Sequence, residues 1–400
     1  MPSNASTSWL KSDPWMYYIN GTLYYSYLEY SNNLNIIPNS QVTFAKSVDN
    51  GLTWTTAKAS QNNDLSDKET FVVSSNGTVY LTYDDVNLYT GSAFVKLSKS
   101  NDNGKSFSDV ATINKNNTYD DIVAPYPALS SNNTLFVSWT RFNDSNNYFG
   151  DVYYDYSLNG GLNFTNNTPL NPNADYSWYG GGKVTFSVIK FDSKDRLYAL
   201  WSEYTNYTSW KVYIRYSDDF GTHWSSKIPI DDTPFTNQSR PDMAIDSKDN
   251  LHIVWYQESN NQFRPYYREL LFSGLNNSTI SKTAIIPVAS AYTSSNFTRP
   301  GDYLTVRLDL NDIPHVVWTD GRLGNLNIFY SHLEKSTPGS KVSSTPSSST
   351  LTSSTTTLTT ISNHESSTNL PSSSKSTSGF MFIQLLIILP IYLKIRKKKD

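Results

Sequence analysis

Along this chain one phrase recurs six times: a polar turn, then a short strand-like run of alternating apolar and small or polar residues that closes on an aromatic. It reads Asn20-Gly-Thr-Leu-Tyr-Tyr-Ser-Tyr27, Asn76-Gly-Thr-Val-Tyr-Leu-Thr-Tyr83, Asn132-Asn-Thr-Leu-Phe-Val-Ser-Trp139, Lys194-Asp-Arg-Leu-Tyr-Ala-Leu-Trp201, Lys248-Asp-Asn-Leu-His-Ile-Val-Trp255 and Asn311-Asp-Ile-Pro-His-Val-Val-Trp318. The closing aromatics are spaced 56, 56, 62, 54 and 63 residues apart. That period accommodates four strands and their loops, and the recurring aromatic reads first as a packing residue.

A second element lies between these phrases. Ser47-Val-Asp-Asn-Gly-Leu-Thr-Trp54 fits the Asp-box pattern S-x-D-x-G-x-[ST]-W, Ser100 to Phe107 departs by one aromatic, and Ser157 to Phe164 and Ser217 to Trp224 are weaker copies. The carboxylate is expected to accept backbone N–H groups within a hairpin, with Gly supplying the left-handed backbone and the aromatic tucked beneath. These residues are therefore fold determinants rather than a calcium loop. Two repeats in register predict an all-β, six-bladed β-propeller over residues 1–335. Blades five and six lack the box, and the last lacks an outer strand. Ser6-Thr-Ser-Trp9 looks like the end of a box, so the N-terminal segment is expected to close blade six.

Composition changes the picture beyond residue 335. Residues 336–378 are nearly all Ser and Thr with a few Pro, which cannot bury enough apolar surface to fold and suits a disordered stalk. Gly379 to Leu393 runs apolar apart from Gln384, about fifteen residues, and 379–395 is expected to form a single transmembrane helix, short for a span, followed by the basic tail 396–400. The positive-inside rule puts that tail in the cytoplasm and the propeller outside the cell membrane. Thirteen Asn-x-Ser/Thr sequons agree with export, although residues 1–18 show no apolar signal segment. No cysteine is present, so disulfides and thiolate metal sites are excluded. The formal charge is −3, and because the last seven residues carry a net +4 the rest of the chain stands at −7 with no basic stripe, which excludes nucleic acid as a partner of the globular part.

Asp boxes on six blades resemble the sialidase superfamily, or BNR-repeat proteins, over residues 1–335. The stalk and basic-tailed anchor look like those of archaeal surface proteins. The resemblance implies a glycan-related site, with an arginine triad, a Tyr–Glu nucleophile pair and an Asp acid/base in true sialidases. This chain has no Arg-Ile-Pro motif and no arginine before Arg141.

The loop face around a propeller channel is expected to carry Lys68, Glu69, Asp84, Asp85, Asp120, Asp121, Arg141, Glu203, Arg240, Asp242, Glu258, Arg299, Asp302, Asp320 and Arg322. Arg240, Arg299 and Arg322 are candidates for gripping an anionic sugar, and Asp121, Glu203, Glu258 and Asp320 for a catalytic carboxylate pair. The competing reading is a set of Arg–Asp ties between blades. Trp178 and Tyr179, on a glycine-rich loop, are placed either to stack on a sugar or to cap the fourth blade. The five histidines show no ligand cluster, so no metal or other cofactor is expected. Two functions stay open: a non-catalytic module binding glycans or cell-surface proteins, and an exo-acting glycoside hydrolase for an acidic sugar.

Overall fold

The computed structural model of the chain describes residues 9–31, 40–61, 65–87, 92–114, 121–143, 149–165, 167–171, 177–178, 187–205, 209–233, 236–260, 262–273, 279–293, 303–324, 326–332, 334–335 and 359–360. These residues form strands and turns with no helix among them. The expected stalk, anchor and tail lie outside the described residues apart from Thr359 and Thr360. Among the described residues no helix is long and apolar enough to cross a membrane.

The chain divides into two compact units, Met1–Arg240 and Pro241–Asp400. The first holds four antiparallel sheets of one plan, strands pairing in chain order. They are β1 (Trp9–Ile19), β2 (Thr22–Ser31), β3 (Ser40–Ser47) and β4 (Thr55–Lys58), then β5 (Leu65–Val73), β6 (Val79–Val86), β7 (Ala93–Ser100) and β8 (Ser108–Thr112). The third contains β9 (Asp121–Leu129), β10 (Leu135–Asn143), β11 (Phe149–Ser157) and β12 (Thr168–Pro169), with the short β13 (Ser177–Trp178) added to β11. The fourth contains β14 (Val188–Phe191), β15 (Leu197–Thr205), β16 (Ser209–Ser217) and β17 (Ile228–Pro229).

The fifth sheet starts with β18 (Asn237–Ile245) and continues through β19 (Leu251–Ser259), β20 (Gln262–Ser273), β21 (Thr279–Lys282) and β22 (Ile286–Pro287). The sixth has three strands, β23 (Leu304–Leu308), β24 (Pro314–Asp320) and β25 (Asn327–His332). One expectation is corrected here. Trp9–Ile19 does not complete the sixth sheet but is the first strand of the first, with Trp9 opposite Ser31 and Ile19 opposite Thr22. Its alternation of small or polar with aromatic residues suits it equally to a first or a last strand, so the box-like Ser-Thr-Ser-Trp start misled.

The second strands carry the recurring phrases, and all six closing aromatics, Tyr27, Tyr83, Trp139, Trp201, Trp255 and Trp318, are buried. Each is thus a packing residue, contributing roughly 2–3 kcal/mol of burial. In the first unit the first strands β1, β5, β9 and β14 pack on one another in succession.

The four boxes have the geometry their residues demand. Asp49 takes the Thr53 N–H at 2.9 Å and the Thr53 hydroxyl at 2.5 Å, while Ser47 Oγ takes the Gly51 N–H at 2.8 Å. Asp102 repeats this with Ser106, and Asp219 with the His223 amide. In the third copy Asn159 replaces Asp and still accepts the Asn163 N–H at 2.9 Å. Gly104 and Gly161 have φ of 82° and 93°, and a Cβ on them would lie 2.4 Å from Phe44 and from Leu97 of the preceding sheet. The second, third and fourth boxes therefore dock on the sheet before them as well as closing their own hairpins, while Gly51 of the first box meets only Leu23 and Trp54 of its own sheet. Tyr24 Oη donating to Asn103 Oδ1 at 2.6 Å and Tyr154 Oη donating to the Gly221 carbonyl at 2.6 Å belong to the same docking.

Candidate functional site: a buried carboxyl cluster at the first-strand bulges

The first strands of the first unit share one irregularity. The ladders slip register between Ser12 and Trp15 in β1, between Asp67 and Thr70 in β5, and opposite Ser138 and Thr140 in β9. At each slip one residue adopts left-handed backbone: Asp13 (φ 51°), Lys68 (49°) and Ala124 (56°). Arg240 in β18 does the same at 51°. For residues with a Cβ this costs on the order of 1–3 kcal/mol, and such outliers gather at functional sites.

The next residue shows why the bulge exists and where it departs from its own rule. After Asp13, Ala124 and Arg240 comes proline: Pro14, Pro125 and Pro241. Proline has no N–H for a ladder, so a bulge suits it. After Lys68 comes Glu69. Its side chain is buried, and neither carboxyl oxygen meets a hydrogen-bond partner beyond its own backbone amide.

Around Glu69 the residues are mostly charged. Lys68 Nζ lies 2.9 Å from Asp13 Oδ2 and 3.8 Å from Asp67 Oδ1, tying the first sheet to the second. Asp84, opposite Asp67 in the β5–β6 register, is also buried; it accepts the Ala124 N–H, and its Oδ1 has no partner. Thr70 Oγ1 donates to the Pro125 carbonyl at 2.6 Å and fixes β5 against β9. Burial pushes the Glu69 carboxyl well above the usual range, and the neighbouring Asp13 charge adds to it. Burial does the same to Asp84, reinforced by Asp67. The Tyr25 hydroxyl is pushed up to about 12 by burial and by Glu69. The cluster thus holds two buried carboxyls whose surroundings favour the protonated form, beside a lysine shared by two carboxylates. It can donate and accept hydrogen bonds out of water, or deliver a proton.

Several residues expected to act elsewhere have partners within their own sheets. Glu203 is buried, taking the Trp201 indole N–H at 2.9 Å and Lys227 Nζ at 2.6 Å. Asp320 takes Arg322 Nη2 at 2.6 Å, Arg322 Nε at 3.0 Å and the Arg322 amide at 2.8 Å. Arg322 lies with its guanidinium 4.8 Å from the centre of the Phe329 ring. Arg141 stacks 5.3 Å from the Tyr153 ring. Asp242, in the fifth sheet, instead reaches the sixth, accepting from the Thr305 hydroxyl, the Val306 N–H and Arg307 at 2.7–3.1 Å, a tie between sheets of the Arg–Asp kind. Arg240 is buried, and Glu258 is partly buried at the end of β19. Trp178 joins the edge of β11 opposite Phe149. The side chains of Asp121 and Trp178, and all of Asp120, Tyr179, Arg299 and Asp302, lie outside the described residues.

Glu69 and Asp84 were among the expected face residues, but nothing marked them as its centre. The signal was the repeated X-Pro of the first strands, Asp13-Pro14, Ala124-Pro125 and Arg240-Pro241, which Lys68-Glu69 breaks. The histidine expectation also changes, because Asp246, His252 and Glu269 bring ligand atoms within 4.8 Å of one another.

No protein-family model matches the chain, and no curated protein matches it in sequence. Solved structures do resemble it. An intramolecular trans-sialidase from Ruminococcus gnavus superposes with a TM-score of 0.56 at 11% identity, covering 80% of this chain and 94% of that one. A Penicillium chrysogenum alpha-L-arabinanase gives 0.53 at 14%, covering 83% and 95%. A Hadza microbial sialidase gives 0.52 at 11%, covering 79% and 64%. With the six sheets described above, this likeness shows the fold: an all-β, six-bladed propeller of the kind seen in sialidases and arabinanases.

Proposed function

We propose that this protein is a membrane-anchored, outward-facing propeller that binds a glycan at the carboxyl cluster of its first two sheets. One observation carries the reading: a buried glutamic acid, Glu69, stands where three other first strands have proline. Leaving a buried carboxyl without an external partner costs about 1–3 kcal/mol, and a proline there would serve the fold without that cost. Residues that oppose stability in this way are those expected to serve a ligand.

The chemistry selects the ligand. Two buried carboxyls that favour the protonated form offer O–H donors and C=O acceptors, which suit the hydroxyls of a sugar. Asp13 and Asp67 outnumber Lys68, so the cluster disfavours an anionic group. A neutral sugar fits better than the acidic one expected from the sequence, and Arg322, already engaged by Asp320, no longer favours an acidic ligand. The stalk composition, apolar segment, basic tail and sequons support a place at the cell surface.

A second reading, glycoside hydrolysis, is favoured by the same raised Glu69 carboxyl, since a proton-bearing acid beside ionisable carboxylates is what that reaction requires. The purified full chain in detergent should be screened against neutral and acidic glycans while released reducing ends are measured. Retention of neutral glycans without release is the expected result. Release that disappears in Glu69→Gln would establish the hydrolase, and retention of acidic glycans alone would refute the neutral-sugar assignment.

A further inference from the structure

The cross-strand position that opens each second strand changes character from sheet to sheet. In the first four sheets it pairs Tyr24 with Lys46, Tyr80 with Lys99, Phe136 with Tyr156 and Tyr198 with Tyr216. These are aromatic and cation–aromatic pairs, with Lys99 Nζ 5.1 Å from the Tyr80 ring centre and Phe136 stacked 5.0 Å from Tyr156. They accompany the four Asp boxes. In the fifth sheet, which has no box, the same position pairs His252 with Glu269.

Asp246, at the turn before β19, completes a group of three. His252 Nε2 lies 3.6 Å from Asp246 Oδ2 and 4.0 Å from Glu269 Oε1. We propose that Asp246, His252 and Glu269 bind a zinc-class divalent cation, independently of the glycan site. Tetrahedral zinc with bonds of roughly 2.0–2.2 Å holds its ligand atoms about 3.3–3.6 Å apart, so the two His252 spacings need at most a few tenths of an ångström of contraction, while the two carboxylate oxygens, within 4.8 Å of each other, close by up to about an ångström through rotation of the partly exposed Glu269 side chain.

Three further features fit such a site. His252 Nδ1 is 2.6 Å from Tyr267 Oη, an outer partner that fixes the ring and, with the proton on Nδ1, leaves the Nε2 lone pair facing the carboxylates. Asp246 is held rigidly, its Oδ1 accepting the amides of Lys248 and Asn250 at 2.8 and 2.7 Å and its Oδ2 taking Asn250 Nδ2 at 2.9 Å. His252 and Asp246 are buried while Glu269 is partly exposed, which gives the ion an entry and water the fourth position. One imidazole and two carboxylates form a borderline donor set that suits zinc better than calcium or magnesium, whose ligands are all oxygen.

The sixth sheet supplies an internal comparison. It repeats the aspartate, histidine and tyrosine, with His315 Nε2 3.7 Å from Asp309 Oδ2 and Nδ1 2.6 Å from Tyr330 Oη. Its third position is His332, whose ring stacks on His315 with centroids 6.0 Å apart and so does not converge on Nε2. Only the fifth-sheet group has three donor atoms gathered within 4.8 Å among the described residues.

The test is zinc titration of the metal-free full chain in detergent, by calorimetry with a parallel melting curve. One equivalent with micromolar or tighter affinity, weakened at least tenfold in Glu269→Gln and abolished in His252→Gln, is the expected result, with His315→Gln unaffected. Because His252 is buried and its replacement puts folding at risk, the partly exposed Glu269 variant, shown to melt cooperatively, carries the decision. No binding at millimolar zinc would overturn the proposal and leave the trio as an ion-paired core histidine. Binding that Glu269→Gln does not weaken would place the ion elsewhere and overturn it equally.

Discussion

Glu69 and Asp84 set the pH behaviour of the first unit. Both carboxyls have folded pKa values raised by burial, so the folded chain holds protons that the unfolded chain releases near the ordinary carboxylate range. Their contribution to stability is fully present below that range and is lost as pH rises through the raised folded values. Melting temperature followed from pH 4.5 upward should decline more steeply in the wild type than in the double variant Glu69→Gln, Asp84→Asn. Equal slopes would mean that the two groups ionise freely. At the same scale, Gly104→Ala meets both a left-handed backbone and Phe44 at 2.4 Å, and should destabilise by about 2–4 kcal/mol. A denaturant midpoint unchanged within error would contradict the docking described for the boxes.

Among the elements, the Asp-box hairpins carry the opposite pH signature. Asp49 and Asp219 are held down to about 2, the first mainly by the Thr53 hydroxyl and amide, the second by the His223 amide and side chain, and Asp102 is lowered by Ser106 and Ser100. Their folded pKa values are depressed, so the stability they give is present above the ordinary aspartate value and is lost as pH falls toward 2. Asp49→Asn and Asp102→Asn together should flatten the acid limb between about pH 4 and pH 2, read by fluorescence of the aromatic core. The boxes, the phrases and the six-sheet plan were legible because each rests on local turn chemistry repeated in register. The place of Trp9–Ile19 was not, since which sheet a terminal strand joins depends on long-range pairing that its own alternation does not encode. The partners of Glu203 and Asp320 were not legible for a related reason. Each lies two residues beyond its buried tryptophan and takes its indole N–H, at 2.9 and 3.3 Å, a bond that only the folded strand reveals.

For the whole molecule, the central claim is that the first-strand bulges, not the loop arginines, make the site: a bulge that elsewhere carries proline is adapted in one sheet to hold an acid. That contrast supplies its own variant. Glu69→Pro restores the residue found after Asp13, Ala124 and Arg240, and should leave stability equal or about 0.4–1 kcal/mol higher by narrowing the unfolded ensemble. The decisive measurement is the affinity of the full-length wild type and Glu69→Pro for the neutral glycan retained in the screen. The account predicts a folded variant, with an unaltered or raised melting temperature, whose affinity falls at least tenfold. Full affinity in that folded variant would contradict it and move the ligand site away from the carboxyl cluster.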